Sequence, residues 1–84
     1  MRAQVIVRLK PSVLDPQGEA VQNALGSLGF DQVGSVRIGK LIEIDLDSSD
    51  REAAKAELDK MADQLLANPV IEQWEIRVDD ETSA

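Results

Sequence analysis

Apolar and polar residues alternate from the first positions of the chain. Ala3, Val5, Val7 and Leu9 fall on one side, with Arg2, Gln4, Arg8 and Lys10 on the other. A period of two with β-branched residues predicts a strand with one buried face. Ile6 is the one apolar residue on the wetter side, and Pro11 ends the run. The period then changes. Asp15-Pro16 predicts a helix start, because an Asp side chain can accept from a free first-turn N–H and Pro at the first helical position has no N–H to orphan. Ala20, Val21, Ala24, Leu25 and Leu28 form the stripe of an amphipathic helix. Gly29 supplies a left-handed stop, with Phe30 placed to pack back on the last turn. Gly18 and Gly26 each lower helix propensity by about 1 kcal/mol relative to alanine. Close packing against another backbone would account for Gly26.

Alternation returns over residues 33–47. Val36 and Ile38 alternate with Ser35 and Arg37, and Ile42, Ile44 and Leu46 alternate with Glu43, Asp45 and Asp47. Gly39-Lys40 lies between the two runs, so a hairpin with a type II′ turn is predicted there, glycine taking the positive φ. A second helix opens at Ser49-Asp50-Arg51-Glu52, which has the form of a capping box. Ala54, Leu58, Met61 and Leu65 follow at helical spacing as its buried stripe, and Asn68-Pro69 stops it. Trp74, Ile76 and Val78 then alternate with Glu75 and Arg77 as a last strand, which makes Trp74 a packing residue, with an interface anchor as the alternative reading.

The predicted order is β-α-β-β-α-β, an α+β two-layer sandwich. Right-handed crossovers make the ferredoxin-like sheet the leading topology, with both helices on one face. The 84 residues form one domain, 1–84, with its core over 3–78 and a polar tail at 79–84. The other sheet face would carry Arg8, Arg37, Glu43, Asp45, Glu75 and Arg77 beside Ile6, Leu41 and Ile71. Two-layer domains this small gain core by association, so that face is also a candidate partner surface.

Composition narrows the chemistry. The chain has neither cysteine nor histidine, which removes disulfides, thiol nucleophiles and a Ser-His-Asp triad. Nine Lys+Arg against sixteen Asp+Glu give a net charge of −7. That balance argues against a nucleic acid or an anionic membrane as partner. No apolar run reaches membrane-spanning length and no signal-peptide pattern opens the sequence, so a cytoplasmic location is expected.

Gly34-Ser35-Val36-Arg37-Ile38-Gly39-Lys40 matches the spacing of a phosphate loop, but Leu41 stands where a Mg²⁺-binding Ser or Thr is needed. The stretch also alternates like a strand and leads into another strand, whereas a phosphate loop leads into a helix. Glu43, Asp45 and Asp47 sit at strand spacing on a wet face, with nothing to push their pKa values apart as paired acid–base catalysis requires. Asp79-Asp80-Glu81 would hold Mg²⁺ loosely at best. No catalytic, cofactor-binding or metal-binding residue is therefore assigned. The residues describe an acidic module that works through protein contacts.

Three segments carry a specific resemblance: Leu14-Asp15-Pro16-Gln17-Gly18, Val36-Arg37-Ile38-Gly39-Lys40-Leu41-Ile42-Glu43, and Leu65-Leu66-Ala67-Asn68-Pro69-Val70-Ile71-Glu72. In this order and spacing they resemble the PurS family, the small subunit of phosphoribosylformylglycinamidine (FGAM) synthase, over about residues 4 to 78. The resemblance implies a subunit without an active site of its own. In the complex it implies, the PurQ glutaminase releases ammonia and the PurL synthetase binds ATP, Mg²⁺ and the ribonucleotide amide. PurS homodimers or higher homo-oligomers bridge the two, supporting an ATP-dependent C–N ligase that converts FGAR to FGAM in purine biosynthesis. Arg37, Gly39 and Lys40, together with Asn68 and Pro69, are then expected at or near subunit contacts, since they recur in the motifs without being core apolar residues. Gly39 and Pro69 have a second reading as residues that merely shape turns. The rival from another class is an ACT-like small-molecule-sensing module with the same element order. Such modules lean on a glycine-bearing turn after the first strand, and Lys10-Pro11-Ser12-Val13-Leu14 has no glycine.

Overall fold

The computed structural model describes residues 1–79. It contains strand β1 (Arg2–Leu9), helix α1 (Pro16–Ser27), strand β2 (Gly39–Asp45), helix α2 (Arg51–Met61) continued by a π-helical turn (Ala62–Leu66), and strand β3 (Glu72–Asp79). The tail expected beyond Asp79, with Asp80 and Glu81, lies outside the described residues; Asp79 itself closes β3.

The first strand forms the centre of an antiparallel sheet ordered β2-β1-β3. Val5 pairs with Ile42 on one side and with Ile76 on the other. This register puts Ala3, Val5 and Val7 on the same face as Ile42, Ile44, Trp74, Ile76 and Val78, as the alternation requires. Helix α2 covers that face. Ala54, Leu58 and Ala62 are buried at successive i+4 positions, and Leu58 and Ala62 meet Ala3, Val5, Val7 and Val78 in the core. Trp74 packs against this cluster, and its indole N–H donates to Asp59 Oδ1 of α2 at 2.9 Å. None of the described helices is long and apolar enough to cross a membrane.

Several local expectations change. Gly39 and Lys40 are not a turn: they are the first residues of β2, opposite Arg8 and Val7. Among the described residues, positive φ occurs at Gly29 and not at Gly39. Gly39 is instead a place of close approach, where a Cβ would lie 2.7 Å from the Val7 carbonyl oxygen. Within the expected α+β two-layer architecture the described elements therefore run β-α-β-α-β, the second predicted strand not forming. Residues 33–38 run as irregular chain with no ladder among the described residues.

The cap of α2 also moves by one residue. The side chain of Asp50, rather than Ser49, accepts from the Glu52 and Ala53 N–H groups at 3.0 and 3.3 Å. At the other end of α2, Leu65 is 83% exposed instead of buried. The Ala67 N–H reaches back five residues to the Ala62 carbonyl at 2.9 Å. That wider turn rotates the stripe by one position, so Leu66 joins the core in place of Leu65.

The largest departure concerns α1. Its ends form as the residues dictate, with Asp15 Oδ1 accepting from the Gly18 N–H and a Schellman closure at Gly29, where the Phe30 N–H meets the Leu25 carbonyl. The helix nevertheless does not cover the sheet. Of its residues only Gly18 is buried, and Val21 and Leu28 face outward. Residues 11–38 form an arm: α1 leads away from the sheet and the irregular segment returns beside it, tied by Gln22 Nε2 to the Gly34 carbonyl at 3.0 Å.

Candidate functional site

The arm joins the sheet at the end where β1 finishes and β2 begins, and several unlike residues converge there. Asp15 is the hub. Its carboxylate is 4% exposed and caps α1 through Oδ1, while Oδ2 accepts from the Ile38 N–H at 2.7 Å, twenty-three residues away. Gly18 completes the joint. A Cβ there would collide with the Val36 carbonyl oxygen and stand 2.9 Å from its carbon. Arg37 clamps the outside, its Nη2 donating to the carbonyls of Lys10 and Val13 at 3.0 and 2.9 Å.

Lys10 extends this arrangement to the second predicted segment. Its N–H donates to the Ile71 carbonyl at 2.8 Å while its own carbonyl receives Arg37. The turn at 68–71 therefore sits at the same end of the sheet. Within that turn Asn68 is fully engaged. Its carbonyl accepts from Ile71 and Glu72 N–H groups, its Oδ1 accepts from the Val70 N–H, and its own N–H donates to Glu72 Oε1. Asn68 thus shapes the turn, and Pro69 and Val70 are presented outward.

Ile38, Gly39 and Lys40 divide two grooves at this end. On the face that α2 leaves open, a cavity of about 280 Å³ is lined by Ile6, Arg8, Arg37, Ile38, Lys40 and Leu41. Three cations thus surround an aliphatic floor on a chain whose net charge is −7. Across the divide lies a cavity of about 220 Å³, lined by Asp15, Gln17, Lys40 and Glu72 beside Val7 and Leu9. Arg8 approaches Glu75 at 3.6 Å. Glu75 is held below the ordinary carboxyl range, first by the hydrogen bond from Arg77 at 2.8 Å and then by that guanidinium's charge.

The structure thus gathers Arg37, Gly39, Lys40, Asn68 and Pro69 at one end of the sheet. It adds Arg8, Lys10 and Asp15, which the sequence reading did not single out as site residues. Arg8 could have been found from register, since it stands opposite Gly39. The Asp15–Ile38 bond carries no sequence signal beyond the cap itself. Among the described residues, no group of three or more acidic side chains is arranged to hold a metal ion.

Asp15 makes the joint sensitive to acid. The Ile38 N–H is the largest cause of a carboxyl pKa below the ordinary value, followed by the Gly18 N–H, with a smaller contribution from the Arg37 charge. A folded-state pKa below the unfolded one contributes stability at pH values above the unfolded value, and that contribution is lost as pH falls through the folded one. Wild-type stability should therefore drop below about pH 4, the ordinary aspartate value. Asp15→Asn, whose Nδ2 cannot accept from Ile38, should melt lower at pH 7 and lose less on acidification. Parallel melting curves at pH 7 and pH 3 check this. Equal acid sensitivity would remove Asp15 from the argument.

The model of the family described as PurS: Phosphoribosylformylglycinamidine (FGAM) synthase matches residues 2–80. The PurS subunit of Synechocystis sp. is 55% identical over 71 residues, covering 84% of this chain and 71% of that one. The PurS subunit of Bacillus subtilis is 46% identical over 79 residues, covering 94% and 93%. Among solved structures, Methanocaldococcus jannaschii PurS superposes with a TM-score of 0.86 at 43% identity, covering 94% and 95%. A chain of the Thermotoga maritima PurLQS structure gives a TM-score of 0.80 at 31% identity, covering 90% and 94%. With a family model spanning nearly the whole chain, and relatives of like length and like fold, the chain belongs to the PurS family of FGAM synthase subunits.

Proposed function

We propose that this chain is the non-catalytic subunit that bridges the PurQ glutaminase and the PurL synthetase, and that the basic end of its sheet makes the contact. Family membership replaces the small-molecule-sensor reading. The observation that carries the proposal is the convergence of Arg37, Gly39, Lys40, Asn68 and Pro69, drawn from two distant motifs, on one end beside Arg8. The Asp15 and Arg37 bonds hold that end in one conformation, so a partner meets a preformed surface and pays little ordering entropy. ATP and Mg²⁺ belong to the synthetase in this reading, and the site of action is the cytoplasm.

The benefit of a bridge is chemical. Ammonia released into water at neutral pH is protonated and loses its nucleophilic lone pair, so synthesis from glutamine requires a closed passage between active sites. A subunit that holds glutaminase and synthetase together supplies that closure without reacting. Mixing the chain with both partner subunits should raise glutamine-dependent FGAM formation, while activity with added ammonium salts changes far less. Equal glutamine-dependent activity with and without the chain would overturn the proposal. In the same mixture Lys40→Glu should weaken co-elution with the synthetase, and unchanged co-elution would remove Lys40 from the contact.

A further inference from the structure

The groove on the open face of the sheet is charged against the rest of the chain. Arg8, Lys10, Arg37 and Lys40 meet at this end, on a chain whose net charge is −7. The carboxylates around them are already committed. Asp15 spends both oxygens on backbone N–H groups, Glu72 accepts from the Asn68 N–H at 2.6 Å, and Glu75 accepts from Arg77 at 2.8 Å. Arg8 is left 3.6 Å from Glu75, a contact between exposed side chains that gains little. Among the described residues the Lys40 side chain has neither a hydrogen bond nor an ion pair.

Between the cations lies an aliphatic floor of Ile6, Ile38 and Leu41, the last 56% exposed. The register explains its depth. Leu41 stands opposite Ile6, and Gly39 opposite Arg8. A Cβ at Gly39 would stand 3.4 Å from Arg8 Cγ and make the groove shallower. Further along the same row of β2 come Glu43 and Asp45, so negative charge bounds the groove toward the other end of the sheet. A small inorganic anion makes no use of an aliphatic floor. The Arg37 Nη2 that would grip such an ion is also taken by the carbonyls of Lys10 and Val13.

We infer that this groove receives a short acidic segment of the synthetase subunit, with one aliphatic side chain on the floor of Ile6, Ile38 and Leu41 and flanking carboxylates on Lys40 and Arg8. The inference rests on the bridging reading, which assigns Lys40 to the synthetase, and adds the chemistry of the segment recognised. Charge complementarity carries it. The cations steer an acidic segment to this end, and Glu43 and Asp45 turn it away from the rest of the face. The floor then desolvates the aliphatic side chain between its charges, as the anchor of an interface requires. The bonds of Arg37 and Asp15 keep the groove preformed.

Carbodiimide treatment of the complex reconstituted with both partner subunits tests this, because the reagent joins an amine to a carboxylate with no spacer between them. Mass spectrometry should find Lys40 joined to an Asp or Glu of the synthetase that has an aliphatic residue beside it. Lys40→Arg keeps the charge, so assembly should persist while that link disappears. Leu41→Asp puts a like charge on the floor and should weaken assembly at least about tenfold, whereas Arg2→Gln at the far end of the same face should not. Lys40 joined only to carboxylates of this same sequence or of the glutaminase, or to none, overturns the inference. Undiminished assembly of Leu41→Asp overturns it too. In those cases a gain in glutamine-dependent activity with the wild-type chain leaves the bridging reading standing. No gain with the wild-type chain overturns that reading, and the inference falls with it. The cross-link needs no variant, so a variant that fails to fold by circular dichroism leaves the test intact.

Discussion

Gly18→Ala and Gly26→Ala, the same substitution at two points of one helix, are expected to move stability in opposite directions. At Gly26 a Cβ meets nothing within 4 Å, and the position lies on the side of α1 away from the apolar stripe. Alanine there removes the conformational freedom of glycine from the unfolded chain and should stabilise by about 0.5–1 kcal/mol. At Gly18 the same gain is overwhelmed. The added Cβ would overlap the Val36 carbonyl, a backbone atom that cannot rotate aside. Relieving the overlap moves the 36–38 segment off the helix, and the Asp15 bond to the Ile38 N–H is stretched with it. Overpacking of this kind costs about 1–3 kcal/mol even where neighbours are side chains. Gly18→Ala should therefore destabilise by about 2 kcal/mol or more. Urea unfolding of the two variants beside wild type gives both signs in one experiment. Gly18→Ala as stable as wild type would mean that the helix and the 36–38 segment are not in contact.

That pair also shows where sequence reading stops. Asp15-Pro16 and Gly29 announced the ends of α1 correctly, because a cap and a left-handed stop are settled within four or five residues. Trp74, Ile76 and Val78 fell on the buried face, because strict alternation leaves one register that hides them. Gly39 was misread for an instructive reason. Glycine is required both by a positive φ and by close backbone approach, and the two demands leave the same residue in the sequence. Leu65 and Leu66 differ in burial through one widened turn, and a helical pattern drawn at 3.6 residues per turn cannot show it.

The arm is the largest case. An apolar stripe on α1 predicts a helix packed on its own sheet, whereas the bonds at its base direct the helix away from it. The candidate site was legible to a similar extent. Its residues could be named from the three motifs, whereas their meeting at one end of the sheet depends on Lys10 touching both Arg37 and Ile71. That is a three-body contact between elements far apart in the chain, and no local pattern encodes it.

Truncating Leu58 to alanine should have the largest effect of any single side chain, and truncating Leu65 almost none. Leu58 is 0% exposed and touches the cluster of Ala3, Val5, Val7, Ala62 and Val78, with small residues on both sides along α2 at Ala54 and Ala62. Those neighbours cannot swing inward to fill a void, so the site collapses poorly. Leu→Ala at such positions costs about 3–5 kcal/mol. A chain of this length has about 4–13 kcal/mol of stability in all, so Leu58→Ala removes a large share of it and brings the variant close to unfolding at room temperature. Leu65 lies about two turns further on at the spacing a regular helix would bury, yet the π-helical turn leaves it 83% exposed. Its removal should shift stability by no more than about 0.5 kcal/mol, as surface changes do. Equal losses for the two leucines would show that α2 continues as a regular helix past Met61. A large loss at Leu58 with little at Leu65 fixes the point where the helix widens and turns the chain toward Asn68 and the end of the sheet where the site is built.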